Sequence, residues 1–247
     1  LNASLEHVLT YLDEVDPEAA DIARARYGCL TPWGTDAASY GRAVLSGRYE
    51  SCEPEVVGQL ADLLERRLEY EERSGRRRAF HAEQNARLVA NAERYYRIMY
   101  YGGRESWNLR DQHMFDTLEA LLAHHGPDGK AVVWEHNSHV GDASATEMGA
   151  RGEHNVGQLV RERYGDEAYL VGFGTHRGTV AAAHDWGGPM EIMDVRPSRE
   201  GSYERLCHDA ELDRFLLPLR EEDAPELRRR LRGERLERAI GVLYRPE

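Results

Sequence analysis

Apolar positions recur along this chain in two patterns, and the change falls near its middle. In the first half they keep helical spacing. Leu5, Val8, Leu9 and Leu12 make one stripe, which predicts a helix close to the start. Pro17 opens a second helix containing Ala19, Ala20, Ile22 and Ala23, since a first helical position does not need proline's missing N–H. From Cys29 to Glu53 no period is sustained past Pro32, Gly34, Gly41 and Gly47, so a loop with short helical pieces is expected. A long helix is expected over 54–73 on the stripe Val56, Val57, Leu60, Leu63, Leu64 and Leu68, broken by Ser74-Gly75. Another is expected over 77–101, with Leu88, Val89, Ala92, Tyr95, Tyr96 and Met99 on one face, stopped by Gly102-Gly103. A third covers 108–125 on Met114, Leu118, Leu121 and Leu122. These predict a helical hairpin packed on a further helix.

In the second half the apolar residues gather into short runs. Residues 130–134, 168–173, 179–182 and 239–244 each read as a strand, the first following the turn Gly126-Pro127-Asp128-Gly129. An amphipathic stretch over 155–164, carrying Val156, Leu159 and Val160, lies between the first two. Strand, helix and strand at this spacing predict a right-handed crossover. The expected fold class is therefore α/β: a mostly parallel sheet with a substantial helical hairpin or bundle. Residues 1–125 would be mainly helical and 126–247 strand–helix–strand, within one domain. Arginines and glutamates alternate over 220–238, which reads as a solvated helix with internal ion pairs ahead of the other reading, an anion-binding face.

Charge and composition narrow the function. Forty-four acids against thirty-two bases give −12, which disfavours general nucleic-acid binding. No apolar run approaches the roughly 18 residues that would span a bilayer, and Leu1-Asn2-Ala3-Ser4 lacks a secretory pattern. The opening reads as the middle of a protein. Cys29, Cys52 and Cys207 are odd in number and widely spaced, which suggests neither a disulfide framework nor a zinc cluster. The simplest compartment on that reading is a reducing cytoplasm.

The densest chemistry follows the 130–134 run, where Glu135, His136, His139 and Asp142 would lie beyond a strand's carboxyl end. Imidazole exchanges protons near neutral pH, so two histidines beside carboxylates suit general acid/base work. Two other readings stand beside it. His136 and His139 are also spaced to share a metal, with Asp142 as a third ligand, or they hydrogen-bond loop backbone and do no chemistry. The metalloprotease order is absent, because Glu135 precedes both histidines.

A second constellation is Arg110, Asp111 and His113, where Arg110 could fork onto a ligand's carboxylate or pair with Asp111 to steady a helix. Residues 173–178 and the loop His184-Asp185-Trp186-Gly187-Gly188 read as strand connections that could line a pocket. No Gly-x-Ser-x-Gly elbow occurs, which argues against the common α/β serine hydrolases.

Several motifs in one order carry a resemblance. They are Ser106-Trp107-Asn108-Leu109-Arg110-Asp111-Gln112-His113-Met114, Trp134-Glu135-His136-Asn137-Ser138-His139-Val140-Gly141-Asp142, Ala145-Thr146-Glu147-Met148-Gly149, Gly157-Gln158-Leu159, Val171-Gly172-Phe173, Gly178-Thr179-Val180 and Asp185-Trp186-Gly187-Gly188-Pro189. In order and spacing the chain resembles the erythromycin esterase family over most of its length. The resemblance implies an α/β fold with a prominent helical part. It also implies a hydrolase that cleaves a carboxylic ester, such as a macrolide lactone, by histidine-activated water without a cofactor.

On that resemblance His136 and His139 match the family's paired active-site histidines. Glu135 would support them, and Arg110, Asp111, His113 and Asp142 would bind substrate or support the site. The family's principal base belongs to a Gly-Glu-x-x-His-Gly segment, which these residues do not contain. The expected partners are a small-molecule ester, no nucleic acid and no membrane. A missing N-terminal segment or an oligomer partner would complete the sheet. The rival functions are a metal- or cofactor-binding module and a non-catalytic fragment lacking the principal base.

Overall fold

The computed structural model describes residues 1–34, 36–212, 214–219 and 224–246. They form two compact units, one of residues 1–133 with 142–168 and the other of 134–141 with 169–247.

The first unit is built from α1 (Asn2–Val15), α2 (Pro17–Tyr27), α3 (Ala37–Leu45), α4 (Glu53–Glu65), α5 (Arg67–Ser74), α6 (Arg76–Ile98) and α7 (Gly103–His125). It also holds the short α9 (Glu147–Ala150) and α10 (Val156–Tyr164). Capping sets where several of these begin. Asp16 accepts from Ala19 N at 3.1 Å and Pro17 takes the first position of α2, so α1 and α2 meet at one sharp corner. The stretch expected over 54–73 is two helices rather than one, divided at Arg66, whose side chain pairs with both Asp16 and Glu69.

Helix α6 runs through the core and packs against α1, α3, α4, α5 and α7. Its inner face is Ala79, Ala82, Ala86 and Val89, small residues that let neighbouring helices approach closely. Val8, Leu12, Leu30, Val56 and Leu63 fill the space around it. Gly41 of α3 marks the tightest approach, since a Cβ there would lie 1.9 Å from the Tyr96 carbonyl oxygen. Two further α6 residues are buried acids. Glu93, 1% exposed, accepts from the Tyr40 hydroxyl at 2.6 Å, from Ser51 at 3.0 Å and from Arg97 at 3.1 Å.

Cys29 and Cys52 form a disulfide, against the expectation from their number and spacing. The fold accounts for the pairing. Residues 28–52 fold back around Tyr40, whose hydroxyl accepts from Cys52 N at 2.8 Å, while Tyr49 donates to the Cys29 carbonyl at 2.9 Å.

The second unit holds the one-turn α8 (Asn137–Val140), strands β1 (Gly178–Ala182) and β2 (Glu191–Val195), α11 (Tyr203–His208) and α12 (Pro225–Leu231). β1 and β2 pair antiparallel, with Gly178 opposite Val195 and Ala182 opposite Glu191. The segment near 242–244 touches β1's end through Ala183 N to the Val242 carbonyl at 2.8 Å and Tyr244 N to the Ala183 carbonyl at 3.0 Å. On α12, Glu226 pairs with Arg229 and Arg230, as the alternating charges suggested. Residues 220–223 of that expected helix lie outside the described residues.

These elements overturn the expected fold class. The chain is 60% helical, and its one sheet among the described residues has two antiparallel strands, so the molecule is mostly helical rather than α/β with a mostly parallel sheet. Apolar composition predicted strands over 130–134 and 168–173, but a strand also requires a hydrogen-bonded neighbour. Both runs form neither helix nor ladder here, and Val132 is 91% and Phe173 69% exposed. Of the expected strands, only 179–182 is one, and its partner β2 had not been expected.

Candidate functional site

His136 and His139 stand at the two ends of one helical turn in the second unit. His136 caps α8 with extended backbone, and its carbonyl accepts from His139 N at 2.8 Å and Val140 N at 3.1 Å. A turn of four residues has little stability of its own. Asn137 supplies what holds it. Its side-chain amide donates to the Phe173 carbonyl at 2.7 Å, and its side-chain oxygen accepts from Phe173 N at 3.0 Å. This two-bond clasp ties the histidine turn to the 169–173 run. The rings of Trp134 and Phe173 meet beside it at 5.9 Å.

His136 is exposed, and its ring lies against the backbone of Gly241, where a Cβ would come 3.7 Å from Nδ1. His139 and Glu135 are half-buried. Two imidazoles on a clasped turn can accept or donate protons to a bound molecule without rebuilding the backbone.

The other expected residues belong to the first unit. Asp111 is fully buried on α7 and accepts from Val156 N at 3.3 Å, at the first residue of α10. The Arg110 guanidinium lies 4.7 Å over the Trp107 ring, with its Nε 3.8 Å from Asp111. Trp107 donates to the His154 carbonyl at 2.8 Å. Asn108 bridges the same turn, donating to the Gly152 carbonyl and accepting from His154 N, both at 3.0 Å. Asn155 completes the seam, its side-chain oxygen accepting from Gln158 N at 3.0 Å and Ala143 N at 3.2 Å.

The motif around 106–111 thus docks α7 onto the turn that launches α10. Asp142 caps the short turn after it by accepting from Ser144 N at 3.1 Å, and it pairs with Arg161 at 3.5 Å. His113 is half-buried on α7. Burial holds its pKa below the ordinary imidazole value; Asp116 pulls it upward and Arg87 pushes it further down.

Among the described residues no three His, Cys, Asp or Glu side chains gather with metal-binding geometry. No helix among them is long and apolar enough to cross a membrane. Sequence reasoning passed over Asn137, Asn155 and Gly241. For Asn155 a signal was present, because asparagine before an amphipathic run is a helix-capping pattern. For Asn137 and Gly241 the signal is tertiary: each matters through a segment distant in sequence.

Comparison with known proteins identifies the class. The erythromycin esterase family model matches residues 1–247, and the chain belongs to that family. Two crystal structures share the fold. One is a Bacillus cereus protein, 18% identical, with a TM-score of 0.73 over 91% of this chain and 53% of that one. The other is described as a succinoglycan biosynthesis protein, 17% identical, with a TM-score of 0.64 over 82% of this chain and 46% of that one. The chain thus spans about half the length of these solved structures.

Proposed function

We propose that this protein takes part in hydrolysis of a carboxylic ester, with His136 and His139 positioning the attacking water or stabilising the oxyanion that develops. Family membership supports a hydrolase. The observation that carries the finer reading is the Asn137 clasp, which fixes both histidines on one turn. Two backbone bonds from one amide are the kind of preorganisation on which acid/base catalysis depends.

In the reaction, water adds to the ester carbonyl, the alkoxide leaves with a proton, and a carboxylic acid and an alcohol result. An imidazole can take the proton from water and return it to the leaving oxygen. Glu135 supports the pair as the adjacent carboxylate. The Gly-Glu-x-x-His-Gly base segment of the resemblance is not among these residues, so the test uses the full gene product. That protein is incubated with a panel of carboxylic esters, including a macrolide lactone, and products are weighed by mass spectrometry. The expected result is a lactone heavier by one water, or an acid and alcohol from an acyclic ester. Intact substrates across the whole panel, from a protein shown to be folded, would sink the proposal.

A further inference from the structure

Basic side chains are gathered at one place on a chain whose formal charge is −12. It lies in the first unit, where α6 begins and α7 finishes. Arg76 and Arg77 open α6, both exposed, and neither forms an ion pair among the described residues, whereas their neighbour Arg78 pairs with Glu14. His124 stacks on Phe80 with ring centroids 4.1 Å apart and planes 17° apart. His81 stands 5.9 Å from the same Phe80, and His125 meets His124 edge-on at 5.6 Å.

The charged groups that act on His124 are Arg76, His125, His81 and Arg77, all of them basic. Burial first, and then these cations, push its pKa below the usual imidazole value. A cavity of about 290 Å³ adjoins the cluster at His125, lined also by Lys130, the chain's one lysine, and by Asp128. Asp128 is the carboxylate of that lining.

Gathering like charges costs free energy unless a counter-charge arrives. We propose that Arg76, Arg77, His81, His124 and His125 form a docking surface for a divalent oxyanion of the phosphate or sulfate type, tightening as the solution becomes mildly acidic. The two arginines are charged at any physiological pH and present planar donors that suit tetrahedral oxyanions. Imidazole N–H groups are further donors for an oxyanion, and histidine is the side-chain type whose charge responds to mild acid.

The test is a titration with sodium sulfate, whose charge is constant over the range. Binding is followed by NMR of the histidine ring protons at about pH 5.5 and about pH 8, either side of the imidazole range. Sodium chloride at equal ionic strength is the control. Saturable shifts at His81, His124 and His125 are expected, with affinity about tenfold higher in acid, equal to about 1.4 kcal/mol. The double variant Arg76→Ala with Arg77→Ala should weaken binding about tenfold, and both side chains are exposed, so the fold should survive. Their thermal melting curves should overlay. Shifts reproduced by chloride, equal affinity at both pH values, or undiminished binding by the double variant would each overturn the proposal.

Discussion

Glu93 lies 1% exposed in a helical core, and three donors make that burial tolerable. A buried carboxylate is costly unless its oxygens are hydrogen-bonded. Tyr40 serves twice, donating to Glu93 and accepting from Cys52 N, and burial with the Glu93 charge pushes its phenol up to about 12. Replacing Tyr40 by Phe keeps the ring and strips both bonds, leaving buried partners unsatisfied. Urea denaturation should show a loss of about 1–3 kcal/mol; a change within experimental error would mean the network contributes nothing. His113 gives a second prediction, this time in pH. Its pKa is depressed in the folded protein, so the unfolded chain binds that proton more readily. Stability from this group is full above about pH 6.5, the unfolded value, and falls as pH drops through it toward the folded value. His113→Gln should therefore flatten the decline in stability between about pH 7 and pH 5. An unchanged slope in thermal melts across that window would contradict it.

Among the elements, those with their own periodicity were legible and those that depend on a neighbour were not. The stripe Leu5, Val8, Leu9 and Leu12 lies within α1, and Pro17 opens α2 as expected. The 54–73 stretch split at Arg66 because Arg66 reaches Asp16, fifty positions away along the chain, which no local pattern reveals. β2 was missed because apolar Ile192 faces solvent between the buried Met193 and the first residue of the strand, masking the alternation. The runs 130–134 and 168–173 carry strand composition but form neither helix nor ladder. The disulfide is likewise an element-scale result, closing a loop between cysteines 23 positions apart that contains α3. Cross-linking over such a span restricts the unfolded chain, a contribution of about 3 kcal/mol. Reduction with a thiol should lower the chemical denaturation midpoint accordingly, and Cys29→Ser should show the same loss without reductant. Identical midpoints before and after reduction would show that the bond adds no stability.

At the scale of the whole molecule, residue identity said more than fold class did. The ordered motifs pointed to the erythromycin esterase family, and the family model covers the chain. The expected parallel sheet did not follow from the same residues, since only β1 and β2 pair. Of the expected site, His136 and His139 share one clasped turn, while Asp111 and Asp142 hold helix starts in the other unit. Buried Asp111 and the seam through Trp107, Asn108 and Asn155 explain why those motif residues occur together even apart from any reaction. The functional account rests on the two histidines of that turn. The most direct measurement is kcat/KM for ester hydrolysis by the full gene product and by its His139→Ala variant, with folding checked by circular dichroism. Loss of a positioned acid/base or oxyanion group should lower kcat/KM about a hundredfold or more while the helical signal stays the same. A folded variant that hydrolyses the ester within about twofold of the parent's rate would contradict the account.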